Sequence, residues 1–223
     1  MHYDVFLYGA KVNLHETLPS DSPHGYPTLW PETDLEHIVA NGFGIGMIQA
    51  DEEALAWAAF VRDVIQPENV MELGTCCGGM FYIMDRMSKP GLRISVDMPW
   101  EQRDPKPCWP DHLFKSAVPN VIEIAGNIHD PKVLLQTYNA LNQEAVIDLL
   151  FIDADHLWKG METHFEMYAP LVRAGGYIGF HDLSNGWPCG DYVKAELFPK
   201  YEHWAFNATN CNPMGIGVIR LPV

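Results

Sequence analysis

Positive charge is scarce in this chain. Only 14 Lys and Arg stand against 29 Asp and Glu, for a formal charge of −15 at pH 7. That balance excludes a generic grip on nucleic acid or on an anionic membrane, and leaves a small anion only the local option of a helix N-terminus. Long apolar runs are missing too. No stretch approaches the roughly 18 apolar residues that a membrane-spanning helix needs. The opening MHYDVFLYGAKVNLHE has neither the basic n-region nor the apolar h-region of a signal peptide, so a cytoplasmic protein is the expectation. The five cysteines (Cys76, Cys77, Cys108, Cys189, Cys211) are odd in number and show no C-x-x-C spacing. Neither a disulfide framework nor a zinc site is indicated, and reduced structural thiols are expected.

What is present reads as one domain of 223 residues, large enough for a core without staples. Residues 1–50 carry Pro19, Pro23, Pro27 and Pro31 and the glycine group 42-GFGIG-46. They are expected to form an irregular arm or lid, a place for homo-oligomer contacts, with a single domain following over 51–223. The pattern turns helical at 51-DEEALAWAAFVRDVIQ-66, whose acidic first turn suits the helix dipole, and Pro67 ends it. Strands and helices then alternate. Apolar runs at 70–73, 93–97, 121–125, 147–153 and 176–182 predict strands, and 79–88, 131–142, 159–173 and 189–198 predict helices. Two more strands, 201–206 and 215–220, close the chain. Continuous rather than alternating apolar strands indicate a sheet covered on both faces. The expected fold is α/β, a Rossmann-like doubly wound sheet of about seven mostly parallel strands with an antiparallel C-terminal strand. Ligands of such sheets collect beyond the carboxyl ends of the strands.

The first strand runs into 71-MELGTCCGGM-80, with Gly74, Gly78 and Gly79 at a strand-turn-helix junction. Glycine lets a ligand approach the backbone, and the helix that follows presents free N–H groups. The dinucleotide fingerprint G-x-G-x-x-G is absent; the spacing here is G-x-x-x-G-G. Glu72, two positions before the first glycine, suits a ligand bearing positive charge better than a pyrophosphate. Asp97 ends the second strand, where an acid accepts the hydroxyls of an adenosine ribose. An ordinary turn remains the bland alternative for Gly74 alone.

E-x-G-x-x-x-G-G with an acid ending strand two resembles the class I S-adenosylmethionine-dependent methyltransferases. MELGTCCGGM is similar to the turn of the catechol and caffeoyl-CoA O-methyltransferases. The run 150-LFIDADHLWKGMETHFEMYAPLVRAGGYIGFHDL-183 resembles a branch holding macrocin-type sugar O-methyltransferases and cephalosporin-hydroxylase-like proteins. The likeness covers roughly residues 49–220. It implies S-adenosylmethionine as cofactor, with Glu72 and Gly74 at its methionyl end and Thr75 and Gly78 in the same turn. Asp97 would hold the ribose, Asn127 would lie beside the adenine, and Asp153 would border the cofactor. Cys76 and Cys77 are expected to pack.

Strand four ends at Asp153 and strand five at His181 and Asp182. The helix between them makes a right-handed crossover, so the three side chains should converge on one sheet edge. Oxygen and nitrogen donors converging beside a cofactor pocket suit a divalent metal. Such a cation would stabilise a substrate alkoxide and hold it in line with the methyl group. The catechol-type enzymes place a lysine base three residues after the first metal aspartate; the resemblance puts His156 there, with an imidazole suited to the task. Asp155 would polarise His156, replace it as base, or touch substrate. His181 stands where that family has an aspartate and Asp182 where it has an asparagine, which moves the expected ion from Mg²⁺ toward Mn²⁺ or Fe²⁺. The alternative is a metal-free site in which Asp153 serves the cofactor alone and His181 packs structurally.

These features predict an O-methyltransferase acting on a small hydroxylated acceptor, such as a sugar, a natural product or a catechol-like ring. The long loop 98–113 and Trp100, Trp109 and Trp187 are candidates for the acceptor wall. Two other classes stay open: an NAD-dependent oxidoreductase, and a cofactor-binding protein of the cephalosporin-hydroxylase-like type that transfers no methyl group.

Overall fold

The computed structural model describes residues 31–99, 102, 111–144, 146–184, 186–209 and 213–223. Seven strands form one sheet: β1 (Val70–Leu73), β2 (Arg93–Asp97), β3 (Ile122–Ala125), β4 (Ile147–Ile152), β5 (Val172–Phe180), β6 (Glu202–Phe206) and β7 (Ile216–Arg220). Their order across the sheet is β3-β2-β1-β4-β5-β7-β6. Strands β1 to β5 pair in parallel, and β7 runs antiparallel to both its neighbours. The chain order reverses between β1 and β4, so the crevice of a doubly wound sheet opens beyond their carboxyl ends.

Both faces of the inner strands β1, β2 and β4 are covered, which explains their apolar runs, while the edge strands β3 and β6 stay largely exposed. Met71, Leu73, Leu150, Ile152, Ile178 and Phe180 pack into one cluster with Val133 of helix α5 (Pro131–Ala140), Met161 of α6 (Trp158–Tyr168) and Cys189 of α7 (Pro188–Tyr192). Val70, Leu149, Phe151 and Tyr177 point the other way, onto Trp57 and Phe60 of α2 (Asp51–Phe60) and Met80 and Met84 of α3 (Gly79–Arg86). Among the described residues no helix is long and apolar enough to cross a membrane.

Three expectations are corrected. The irregular arm does not extend through residues 35–45, which form α1 (Leu35–Ile45), capped by Asp34, whose Oδ1 accepts from His37 N at 2.9 Å. Gly42 within it is a contact point rather than a loop signal. A Cβ on Gly79 would lie 2.2 Å from Gly42 O, so small residues let α1 and α3 cross closely. The helix expected over 159–173 ends at Tyr168, because Ala169–Leu171 winds as a 3₁₀ turn around Pro170. Strand β5 therefore starts at Val172, not 176. Finally, a short helix α4 (Asp111–Ala117) begins inside the segment expected as loop 98–113. Most of that segment, with Trp100 and Trp109, lies outside the described residues, as do residues 1–30.

Gly74 brings the ends of β1 and β4 together. Its φ is +85°, and a Cβ there would stand 1.8 Å from Asp153 O. Replacement Gly74→Ala is expected to cost roughly 1–3 kcal/mol from the backbone conformation alone, more with the clash, read as a lowered urea midpoint. On α6, His164 is buried, and burial, helped by His129, pushes its imidazole down to about 4. A depressed folded value means that the unfolded chain takes up the proton first. Stability should thus be full above the ordinary 6.5 and fall as the pH drops toward 4. His164→Gln should flatten that part of a stability–pH curve; an unchanged slope between pH 6.5 and 4 would contradict the assignment.

Candidate active site

The parallel ladder sets the site. Asp153 N donates to Leu73 O at 2.9 Å and His181 N donates to Ile152 O at 3.1 Å. The residues following β1, β4 and β5 are thereby stepped side by side along one edge. Asp182 follows with φ +59°, the left-handed region that a non-glycine residue seldom adopts, and Gly190 makes room for it. A Cβ on Gly190 would come within 2.4 Å of Asp182 O. Backbone strain of this kind concentrates at functional positions.

One ligand atom from each of Asp153, His181 and Asp182 lies within 4.8 Å of the others. His181 Nδ1 stands 3.3 Å from Asp153 Oδ1 and 3.3 Å from Asp182 Oδ1, yet makes no hydrogen bond. Burial alone pulls the imidazole toward neutrality, but attraction first to Asp153 and then to Asp182 outweighs it and holds His181 well above its ordinary value. Two carboxylates at such separation repel by roughly 3–4 kcal/mol at an effective dielectric near 20. The point between the three atoms therefore favours a positive charge.

His156 faces the same point. Its Nε2 is 3.0 Å from Asp182 Oδ2 and 4.0 Å from Asp153 Oδ1, and its ring lies 4.9 Å from that of Trp187. Half-exposed, it borders solvent while Asp182 is buried. Asp155 turns elsewhere. One of its oxygens accepts from Leu157 N at 2.9 Å, and the other lies 3.4 Å from His129 Nε2. His129 in turn meets His164 across 3.1 Å. The structure thus groups Asp153, His156, His181 and Asp182, and separates Asp155 from them.

The expected cofactor residues lie at the carboxyl ends of β1, β2 and β3. Glu72 is buried, and its Oε2 makes no hydrogen bond. Burial, and then Asp153, raise its carboxyl well above the ordinary range. Thr75 Oγ1 accepts from Ser95 Oγ at 2.7 Å. Gly78 adopts φ +91°, with Phe114 where its Cβ would be. Asp97 Oδ2 accepts from Cys76 N at 2.6 Å and Oδ1 from Met98 N at 2.6 Å, which fixes the carboxylate at the turn. Asn127 is exposed beyond β3 and its Oδ1 accepts from His129 N at 3.0 Å. Cys76 is exposed and Cys77 half-buried, so the first is no packing residue.

Two contributors escape sequence reasoning. Gln49 Oε1 accepts a short hydrogen bond from His181 Nε2, and Gln49 Nε2 donates to Glu53 Oε2 at 2.5 Å. Both are buried. In sequence, Glu53 reads only as one acid among three in a helix's first turn; no spacing links it to a histidine far along the chain.

Residues 71–183 match a protein family described as a methyltransferase domain. Among curated proteins, the rhamnosyl O-methyltransferase of Mycobacterium leprae is 27% identical over 155 residues, 62% of this chain and 64% of that protein. An uncharacterized protein of Acanthamoeba polyphaga mimivirus is 34% identical over 86 residues, 34% of this chain and 39% of that one. The chain thus spans less than two thirds of the length of these curated relatives. Among solved structures, an O-methyltransferase from Bacillus cereus in complex with SAH superposes with a TM-score of 0.59 at 16% identity, over 86% of this chain and 92% of the other. The O-methyltransferase TomG from Streptomyces achromogenes, involved in tomaymycin synthesis and in complex with SAM, gives 0.57 at 14% identity, over 87% and 92%. At such identity these two structures speak for the fold. With half its length inside the family match, and with the glycine turn and acid-ended strands in place, the chain belongs to the methyltransferase-domain family.

Proposed function

We propose that the protein is an S-adenosylmethionine-dependent O-methyltransferase that uses a divalent cation to methylate a hydroxyl of a small acceptor. The observation that carries this reading is the convergence of Asp153, His181 Nδ1 and Asp182 on one point beside the crevice. A nitrogen among the donors favours Mn²⁺ or Fe²⁺ over Mg²⁺.

The crevice residues fit the cofactor. A buried carboxylate oxygen without a partner, on Glu72, suits the cationic methionyl end, and Asp97 suits the ribose hydroxyls. The missing G-x-G-x-x-G, with Glu72 and Asp153 beside the glycine turn, speaks against a dinucleotide's pyrophosphate and so against the oxidoreductase class. Asn127 is assigned to the adenine side. When bound, S-adenosylmethionine would supply the methyl group, its C–S pair returning to sulfur to give the neutral thioether S-adenosylhomocysteine. The cation supplies charge stabilisation to a deprotonating hydroxyl.

The chain's own residues do the rest. Asp182 Oδ2, 3.0 Å from His156 Nε2, holds the imidazole's hydrogen there, so Nδ1 is the nitrogen left to take the hydroxyl proton, and Asp182 steadies the imidazolium that forms. Trp187 beside His156 forms an apolar wall for the acceptor. A sugar hydroxyl is the first acceptor to test, since the curated relatives include rhamnosyl O-methyltransferases.

Transfer of labelled methyl to a panel of sugars and catechols should be lost on chelation and restored by Mn²⁺. His156→Asn should lower kcat by about 10²–10⁴-fold while S-adenosylhomocysteine binds as before. Transfer that is indifferent to chelator would refute the cation's role. A full-rate His156→Asn would refute the base.

A further inference from the structure

A line of buried hydrogen bonds runs from the β6–β7 connection through α2 to the site. Glu53 Oε1 accepts from Ala208 N at 2.8 Å and from Gly215 N at 3.0 Å. Its other oxygen accepts from Gln49 Nε2 at 2.5 Å. A carboxylate only accepts, so it obliges Gln49 to present its amide nitrogen there and its Oε1 on the opposite side. That Oε1 meets His181 Nε2, which must therefore carry the hydrogen. The remaining nitrogen, Nδ1, is the atom aimed between Asp153 and Asp182. Every choice in the line follows from the first: two backbone N–H groups fix the carboxylate, the carboxylate fixes the amide, and the amide fixes the imidazole.

We propose that Glu53 and Gln49 are positioning residues that hold His181 with Nε2 protonated, so that its Nδ1 lone pair is offered to the cation; the inference rests on the divalent-cation reading above. Partners of this kind set ring orientation and tautomer in metal-binding histidines, and their loss costs about 10–100-fold in metal affinity. The pair also ties α2 and the β6–β7 connection to the site, neither of which supplies a ligand.

The polarity of the line can be reversed without removing an atom. In Glu53→Gln, the new amide keeps its oxygen on the two backbone N–H groups and turns its NH₂ toward Gln49. Gln49 must then flip and present its own NH₂ to His181 Nε2. The imidazole is driven to carry its hydrogen on Nδ1, where it blocks the cation. The double replacement Gln49→Glu with Glu53→Gln restores an acceptor opposite Nε2.

The test is Mn²⁺ affinity of the full chain, read from the free-ion signal in electron paramagnetic resonance, with urea midpoints measured in parallel. Glu53→Gln is expected to bind Mn²⁺ about 10–100-fold more weakly, and the double variant to recover to within about threefold of wild type. If Glu53→Gln fails to fold, Gln49→Leu takes its place; it removes the acceptor and should weaken binding by a similar factor. Wild-type affinity retained in a folded Glu53→Gln or Gln49→Leu would overturn the relay while leaving the cation site standing. No rescue in the double variant would overturn it as well. A wild type that binds no Mn²⁺ would instead sink the cation reading itself.

Discussion

Three electron-rich atoms facing one point, at the ends of β4 and β5, are the constraint around which the rest of this structure is arranged. The carboxylates of Asp153 and Asp182, with His181 Nδ1 between them, favour a positive charge at that point, a proton on the imidazole or a cation in its place. The scaffold is strong enough to hold them there. Leu149, Leu150, Phe151 and Ile152 are fully buried immediately before Asp153. Burial at roughly 1.5–3 kcal/mol per large apolar side chain outweighs a carboxylate repulsion of roughly 3–4 kcal/mol. Packing therefore dictates where the strand ends, and the chemistry inherits the location.

A second carboxylate on the same strand shows what a structural acid looks like. Asp148, at the other end of β4, accepts from Glu68 N at 3.0 Å and from Asn69 N at 2.8 Å, and pairs with Arg173. Burial would raise its carboxyl, but these donors, led by Asn69 N, hold it below the ordinary range. Glu72 and Asp153 have no comparable set of donors, and Glu72 is driven upward instead. Asp148 braces the amino end of β4, while Glu72 and Asp153 stand at carboxyl ends, where a cationic cofactor and a metal would complete them.

Much of this was legible in the sequence because it follows from local pattern. Apolar runs locate the strands, and the acids at their ends, read with the crossover rule, bring Asp153, His181 and Asp182 to one edge. The helix α1 was hidden because Gly42, Gly44 and Gly46 read as breakers, when Gly42 serves close packing against α3. The early start of β5 was hidden because Pro170 ends α6 sooner than its apolar spacing suggests. Asp155 illustrates a different limit. Next to His156 in sequence, it leaves the turn in another direction and joins His129, a choice fixed by the turn geometry that pairs it with Leu157 N. Gln49 and Glu53 were beyond reach, since their meaning comes only from a contact made 132 positions away.

The proposed role of His181 is to give its Nδ1 to a divalent cation between two carboxylates. Pulsed electron paramagnetic resonance on the Mn²⁺-loaded protein tests this most directly. The account predicts the modulation of one directly bound imidazole nitrogen, abolished in His181→Ala. Tightly bound Mn²⁺ with no nitrogen modulation, or modulation that survives His181→Ala, would contradict it.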